Sequence, residues 1–163
     1  MTEIVLDDLF PLQKELDEEI HALHGVSYQT TKSRRLLALL VEMGEFANET
    51  RCFKFWSLKG PSPKEVMLDE YADGLHFYLS LGLILGIDHF AYSPKPVPEK
   101  SEAILRAYEK AVALHSSFTQ ATFEEGFQAF LDLIPTFGFE GEEIKGAYRK
   151  KLAVNHKRQA DKY

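Results

Sequence analysis

Carboxylates interrupt the two most apolar helical patterns of the chain. In the first pattern, Glu42, Glu45 and Glu49 recur at the three- and four-residue spacing that stacks side chains on one side of a helix. In the second, Glu70 and Asp73 stand in a row of otherwise apolar side chains. Burying unpaired carboxylates is costly, so a chain keeps such a cluster only where a cation lies among them. The pattern therefore favours two packed helices with a divalent metal between them.

A solvated acidic face is the ordinary alternative for acids on a helix. The residues around the first set argue against it, because apolar side chains surround these acids on nearly every side. They are Leu36, Leu37, Leu39, Leu40, Val41, Met43 and Phe46. A helix of this kind is expected to be buried, so its acids cannot all reach water. Basic partners could neutralise the acids instead, but residues 36–53 offer only Arg51.

The length of 163 residues suits one domain, residues 1–163, with a proper hydrophobic core. The single cysteine, Cys52, excludes an intramolecular disulfide framework and fits a reducing compartment. The first residues are too acidic and too briefly apolar for a signal peptide, and no run approaches the roughly 20 apolar residues of a membrane span. We therefore expect a cytoplasmic protein that does not bind membranes. The net charge of −6 argues against binding to nucleic acid, which favours a basic surface.

Helical periodicity runs through almost the whole chain and predicts an all-α fold, a helical bundle with the carboxylate cluster between two core helices. The first amphipathic helix is expected to end at Gly25, and Thr30 or Thr31 to cap the next one. Gln13 lies on the apolar stripe of the first helix, and Asp17 follows one turn later. A lone Gln on such a face is usually an edge residue or a hydrogen-bonded core residue. It is also a candidate for reading a nucleobase.

Trp56 and His76, which lie close to the carboxylates in the sequence, each have two interpretations, and Ser62 is a predicted helix cap. Trp56 continues the acid-bearing side of the first helix about 10 Å beyond Glu49, from the rise of ~1.5 Å per residue. A tryptophan is most often a core residue, yet this one could stack on a flat ligand. His76 follows Asp73 by three residues, a spacing found in di-iron bundles, but only one such pair is present, which favours a core group. Ser62 is the predicted N-cap of the second carboxylate helix, in a capping box.

The last part of the chain contains a proline-rich segment and three further helical patterns. Three prolines between positions 94 and 98 predict an exposed linker. The final helical pattern aligns four polar residues on one side of a helix, namely Tyr148, Lys151, Asn155 and Arg158. Such a basic stripe is usually solvated, but it could supply phosphate donors to metals in the acidic cluster.

These motifs carry a resemblance to a known group of proteins. The pairs Glu42-x-x-Glu45 and Glu70-x-x-Asp73 on successive helices resemble the metal signature of the MazG-like all-α NTP pyrophosphatases. Within that superfamily, the stretches EFANETRCFKFWS, DEYADGLHFYLSLGL and AYRKKLAVNHKRQ resemble blocks of the dimeric all-α dUTPases. Gln13 falls where that family has a uracil-reading Gln. The chain departs from the family pattern at Leu152, which replaces an Asn, at Lys162, which replaces a Gly, and at Asp17, where some members have Asn.

The resemblance implies a homodimer and a Mg²⁺ cofactor, for which Mn²⁺ could substitute, held by Glu42, Glu45, Glu70 and Asp73. An acidic pocket can bind a strongly anionic triphosphate only through such metals. The implied reaction is attack of water on the α-phosphorus of dUTP, which gives dUMP and diphosphate. Glu45 is the expected base towards the water. The resemblance leaves open whether dUDP is a second substrate.

The resemblance also implies a set of substrate contacts. Lys54, Lys151 and Arg158 would neutralise phosphate oxygens. Gln13 and Trp56 would hold the base. The remaining members of the expected substrate-binding set are Asp17, Tyr148 and Asn155.

Two other classes of function remain open at this point. A related pyrophosphatase that acts on dCTP or a non-standard NTP would share the metal residues and differ in the base pocket. A helical interaction protein without enzymatic activity would bind no divalent metal.

Overall fold

The computed structural model describes residues 2–162, which form seven helices and one short two-stranded ribbon. The elements are β1 (Ile4–Val5), α1 (Leu9–His24), α2 (Tyr28–Thr50), α3 (Lys64–Ile84), β2 (Ala91–Tyr92), α4 (Lys100–Ser116), α5 (Gln120–Leu131), α6 (Leu133–Thr136) and α7 (Gly141–Ala160). The expected all-α bundle is confirmed. Among the residues described, no helix combines the length and the apolar character that crossing a bilayer would require.

Helix α3 lies at the centre of the bundle and packs against α1, α2, α5 and α7. Its second half is apolar on nearly every side, and the pattern is that of a buried helix. Gly82 permits the close approach of two aromatic rings, because a Cβ at this position would lie 2.9 Å from Phe123 and 3.1 Å from Phe10. The central position of α3 places the acids in its first half against α2.

Helix α2 is capped and terminated by residues other than those expected. Ser27 is its N-cap and forms a capping box with Thr30. The helix ends at Thr50, because Arg51 adopts the left-handed conformation with φ 56°. Trp56 therefore lies in the loop after the helix, and the prediction that it continues the acid-bearing side was wrong.

Helix α2 is also less buried than its sequence indicated. Leu37 is 62% exposed and Val41 is 50% exposed, so one apolar side of the helix faces outwards. The opposite side, which includes Leu39 and Met43, is buried in the core. The acids of α2 thus lie at the border between the core and the surface.

The loop between α2 and α3 is held by a contact between Ser62, the predicted cap of α3, and Glu49 of α2. Pro63 is the N-cap of α3, whereas the Ser62 hydroxyl donates a hydrogen bond to the Glu49 carboxylate. The Ser62 backbone N–H also donates to the Glu49 carbonyl, at 3.0 Å. The predicted Ser62 capping box was therefore wrong, and Glu49 is engaged at the start of α3.

The proline-rich segment is anchored by β2 and by hydrogen bonds to the bundle. Strand β2 pairs antiparallel with β1, with Ile4 opposite Tyr92. The Tyr92 hydroxyl and the Lys95 backbone N–H both donate to Asp132 Oδ1, at 2.9 and 2.8 Å. Pro94 is buried. The segment is thus part of the packed structure and is more than the exposed linker that its prolines predicted.

Candidate active site

The carboxylates of α2 and α3 meet between the two helices, as the sequence predicted. Oxygen atoms of Glu42, Glu45 and Glu70 all lie within 4.8 Å of one another. A second group on α3, formed by Asp69, Glu70 and Asp73, meets the same limit. Glu70 belongs to both groups, so all five acids form one continuous cluster of oxygen ligands, which we call the acidic cluster.

Two carboxylate oxygens of the acidic cluster are buried without a hydrogen-bond partner among residues 2–162. They are Oε2 of Glu42 and Oε2 of Glu70. Burial, the hydrogen bond with Glu45 and the repulsion of neighbouring acids raise the pKa of Glu42 to about 8, and the same causes raise the pKa of Glu70 to about 7. Orphaned buried oxygens and a donor set made only of carboxylates suit a hard divalent cation such as Mg²⁺ or Mn²⁺.

Lys151 of α7 reaches the edge of the acidic cluster. Its Nζ lies 3.1 Å from Oδ2 of Asp69 and 3.2 Å from Oδ1 of Asp73. Burial disfavours the ammonium form, but the two carboxylates outweigh this and raise the pKa of Lys151 above its usual value. Burial also raises the pKa of Asp73, although Lys151 partly opposes the increase. Lys151 is therefore an ion-pair partner of the cluster.

Glu49 and His76, which were considered for the metal site, do not belong to the acidic cluster in the described part of the chain. Glu49 is bonded to Ser62 and is a member of neither group. His76 is also absent from both, so the Asp73–His76 spacing does not form a combined histidine and carboxylate site. The arrangement of the described residues argues against the di-iron alternative.

A pocket of about 360 Å³ adjoins the acidic cluster. Side chains from α1, α2, α3 and α7 line it; they include Gln13, Asp17, Arg34, Arg35, Glu42, Asp73, His76, Phe77, Ser80, Asn155 and Arg158. Along α3, Asp73 and Ser80 lie seven residues apart, so the helix rise separates them by about 10 Å. Arg35 and Glu42 have the same separation on α2. The acids therefore mark one end of the pocket.

A buried hydrogen-bond network surrounds Asp17 at the other end of the pocket. Gln13 Nε2, the Tyr28 hydroxyl and the Ser80 hydroxyl donate to its carboxylate, at 2.9, 2.9 and 2.6 Å. The Arg35 guanidinium lies 3.7 Å from the same carboxylate. The donors come from three different helices, so the network ties α1, α2 and α3 together.

The Gln13 amide is fully occupied by protein groups. Its Nε2 donates to Asp17 and, at 3.3 Å, to the Ser80 hydroxyl. Its Oε1 accepts from the Tyr148 hydroxyl at 2.9 Å and lies 2.6 Å from Nδ1 of His76. An amide has two donors and two acceptor positions, so Gln13 has no hydrogen-bonding capacity left. Its expected contact with a base stays a prediction, and its contacts in the structure are all internal.

The His76 ring is fixed between Gln13 and Tyr148. It is 4% exposed and stacks on the Tyr148 ring with a centroid distance of 4.2 Å. Burial is the main cause that lowers the pKa of His76 to about 3, so the ring is neutral at pH 7. Its Nε2 is buried and has no hydrogen-bond partner within the described part of the chain. His76 is therefore a neutral, buried ring that is packed in the wall of the pocket.

The other predicted substrate residues fall into two groups. Asn155 and Arg158 line the pocket. Tyr148 is buried, and its hydroxyl donates a hydrogen bond to the pocket residue Gln13. In the described part of the chain, however, this pocket is not lined by Lys54 or Trp56. Trp56 is 65% exposed, and its ring packs edge-on against those of Phe53 and Phe55 in the same loop.

Sequence reasoning missed four residues that shape the site. Arg35, at the start of α2, is buried against Asp17. Ser80 and Tyr28 complete the Asp17 network, and Asp69 shares Lys151 with Asp73. Ser80 carried a signal as a small polar residue one turn after His76 on a buried helix, and Asp69 carried one as an acid one turn before Asp73.

The fold and the acidic cluster are consistent with the all-α NTP pyrophosphatase superfamily. A family model described as dUTPase matches residues 5–163. The chain belongs to this dUTPase family. It is accordingly a dUTP diphosphatase, a hydrolase that acts on phosphoric anhydrides. No curated protein is similar enough to the chain to count as a match.

Proposed function

We propose that the chain hydrolyses dUTP to dUMP and diphosphate with Mg²⁺ held by Glu42, Glu45, Glu70 and Asp73, and that Mn²⁺ can replace Mg²⁺. The observation that carries this proposal is the pair of buried, unpartnered oxygens on Glu42 and Glu70. Unpaired buried carboxylates are costly, and a divalent cation offsets that cost. When bound, the metal polarises the phosphate oxygens and makes a bound water more acidic.

The remaining chemistry belongs to the protein side chains. Glu45 is more exposed than Glu42 and Glu70, so it is the acid of the cluster best placed to meet a water from solvent. We assign it as the base that takes a proton from the attacking water. The water oxygen bonds to the α-phosphorus, and the bond from that phosphorus to the bridging oxygen breaks. The diphosphate leaves with the bridging oxygen, and the product is dUMP.

The polarity of the pocket supports one orientation of the nucleotide. The triphosphate lies at the end marked by Glu42 and Asp73, and the nucleoside extends towards Asp17. Arg158 and Asn155 line the same pocket from α7 and suit contacts to the phosphates. The same site would also accept dUDP, which shares the base and the sugar.

Lys151 has a second function in this proposal. Its ammonium holds Asp69 and Asp73 together in the metal-free protein. If Asp73 held a metal, the same ammonium would be available to a phosphate oxygen. The structure therefore supports Lys151 as a phosphate ligand only together with metal binding.

The loop after α2 supports a homodimer. Phe55, Trp56 and Leu58 expose apolar side chains together, which is typical of a contact surface. Since Lys54 and Trp56 do not line the pocket of their own chain, a role in substrate binding requires this loop to move or a second protomer to supply it.

We also propose that residues 1–163 form one domain and that the enzyme is cytoplasmic, in keeping with its lone free cysteine, Cys52.

Product analysis tests the proposed reaction. With dUTP and Mg²⁺, we expect diphosphate release that stops when EDTA removes the metal. Glu45→Gln and Asp73→Asn should abolish turnover while the protein stays folded, and Glu65→Gln on the exposed start of α3 is the matched control. A faster reaction with dCTP or a non-standard NTP would assign the enzyme to another nucleotide. Unchanged activity in both variants would contradict the metal site.

A further inference from the structure

Asp69 belongs to the acidic cluster but opens onto a different cavity from Asp73. Asp73 is one of the described residues that line the pocket, and Asp69 is not. Asp69 instead lines a second cavity of about 570 Å³ between the start of α3 and α7, together with residues that include Glu65, Glu143 and Lys150. Its side chain is 49% exposed, whereas that of Asp73 is 21% exposed. Asp69 therefore lies on the side of the cluster that is away from the pocket.

The Lys151 ammonium joins these two sides of the acidic cluster. Asp69 and Asp73 are four residues apart on α3, so their carboxylates lie on the same face of the helix, one turn apart. Lys151 Nζ lies 3.1 Å from Oδ2 of Asp69 and 3.2 Å from Oδ1 of Asp73. Since the two distances are almost equal, the two carboxylates share one ammonium.

We propose that Asp69 is a positioning residue that acts through Lys151, because it draws the ammonium towards the outer side of the cluster and thereby leaves Asp73 available to a divalent metal. This inference rests on the proposed function and deepens its metal site. Without Asp69, Lys151 would pair with Asp73 alone, and a metal would have to displace the whole ion pair. With Asp69 present, the ammonium keeps a carboxylate partner when Asp73 turns to the metal.

The contacts of Asp69 favour this role over direct binding of the metal. The buried oxygens without a partner in the described part of the chain belong to Glu42 and Glu70, whereas Oδ2 of Asp69 accepts a hydrogen bond from Lys151. A carboxylate that is half exposed and already paired gains less from a cation than one that is buried and unpaired. Asp69 is therefore better suited to hold Lys151 than to hold the metal.

Titration calorimetry with Mn²⁺ and no nucleotide tests the proposal, because this measurement requires no turnover. In Asp69→Asn, we expect the affinity for Mn²⁺ to fall by about three- to fivefold, the effect of losing one partly exposed ion pair. In a Lys151→Met background, the same substitution should have little effect, since the ammonium through which Asp69 acts is absent. Asp69→Glu keeps the carboxylate and should retain most of the wild-type affinity.

Glu65→Gln is the matched control for the loss of a negative charge. Glu65 precedes Asp69 by one turn of α3 and lines the same second cavity. The ion pairs of Lys151 with residues 2–162 are those with Asp69 and Asp73, so this change leaves the ammonium in place. The Mn²⁺ affinity of Glu65→Gln should equal that of the wild type. A loss as large as that of Asp69→Asn would show that Asp69 acts by its charge alone, and would overturn the proposal.

Two further outcomes of the titrations would overturn the proposal. An equal loss of Mn²⁺ affinity for Asp69→Asn with and without Lys151 would mean that Asp69 binds the metal itself. An unchanged affinity in Asp69→Asn would mean that it does not affect the metal site. A wild-type protein that binds no Mn²⁺ would instead contradict the proposed function, so the two failures are distinguishable.

A measurement on the wild-type protein decides the proposal if Asp69→Asn fails to fold. The NMR signal of the Lys151 ammonium should be visible in the metal-free protein, because an ion-paired, buried ammonium exchanges its protons slowly. Since Asp69 still holds the ammonium, the signal should persist when Mg²⁺ is added at saturation. Loss of the signal on addition of Mg²⁺ would show that Asp69 does not retain Lys151, and would overturn the proposal.

Discussion

The Lys151 ammonium lies 3.2 Å from the Asp73 carboxylate and 3.1 Å from that of Asp69, where it bridges two acids of the same helix. The Lys151 side chain is largely buried, whereas that of Asp69 is half exposed. The ion pair with Asp73 is therefore the better shielded of the two, and it occupies a carboxylate that the proposed metal also needs. Metal binding and this ion pair are expected to compete.

Removal of Lys151 should destabilise the metal-free protein and have a smaller effect when metal is bound. Lys151→Met removes the ammonium that pairs with Asp69 and Asp73, and hydrogen bonds to charged groups typically contribute about 1.5–3 kcal/mol. Thermal unfolding in EDTA and in excess Mg²⁺ measures both cases. Lys150→Met, on the exposed side of α7, is the control and should change neither value. Equal losses of stability with and without Mg²⁺ would contradict the competition.

The stability of the metal-free protein should depend on pH through Glu42 and Glu70. Their pKa values are about 8 and about 7 in the folded protein, above the ordinary 4.5. The folded state therefore binds protons that the unfolded chain has released, so these groups lower stability as pH rises from about 4.5 to 8. Metal binding removes the effect, because the cation replaces the protons.

Glu42→Gln isolates this effect, because a glutamine resembles a permanently protonated glutamate. Relative to the wild type, the variant should gain stability at pH 8 and gain little at pH 5. Thermal unfolding in EDTA at the two pH values provides the measurement. The exposed Glu65→Gln should show no such difference. A variant that is equally shifted at both pH values would mean that Glu42 is ionised throughout.

The meeting of Glu42 and Glu70 could be predicted from the sequence, whereas the partners of other site residues could not. Acids at helical spacing inside apolar patterns leave few solutions other than two packed helices that share a cation. The end of α2 was missed because Arg51 adopts a left-handed conformation in a stretch whose pattern continues to Trp56. Glu49 then pairs with Ser62, a contact that depends on how the loop folds back.

The Gln13 network was beyond sequence reasoning for a related reason. Its members come from four helices, and spacing along the chain relates only the members that share a helix. Gln13 and Asp17 are one turn apart on α1, but Ser80 and Tyr148 belong to α3 and α7. Sequence reasoning therefore identified Gln13 as a polar residue on an apolar face and could not determine that its amide is already saturated.

Gln13→Ala should reduce both stability and base selectivity. The change removes the partner of His76 Nδ1 and of the Tyr148 hydroxyl and one of the donors to Asp17, and each unsatisfied buried group costs about 1–3 kcal/mol. Gln13 also holds the His76 ring at the wall of the pocket, so activity on dUTP should fall far more than activity on dCTP. Thermal unfolding and kcat/KM for both nucleotides provide the readouts, with the exposed Gln128→Ala as control. Equal losses on the two nucleotides would show that Gln13 only packs.

Leu58→Ser should weaken the proposed homodimer. Leu58 is fully exposed beside Phe55 and Trp56, so a polar replacement costs nothing within the protomer and removes apolar contact area from an interface. Sedimentation over a range of concentrations should show a higher dissociation constant than for the wild type. Leu105→Ser replaces an exposed leucine on α4 and serves as the control. A dimer unaffected by Leu58→Ser would place the interface elsewhere.

The site of water attack is tested most directly with dUTP in ¹⁸O-labelled water and Mg²⁺. If the acidic cluster positions water against the α-phosphorus, mass spectrometry should find the label in dUMP and none in the diphosphate. The reaction should cease in EDTA and in Glu45→Gln. Label in released diphosphate or phosphate, or turnover that persists in EDTA, would contradict metal-dependent attack at the α-phosphorus.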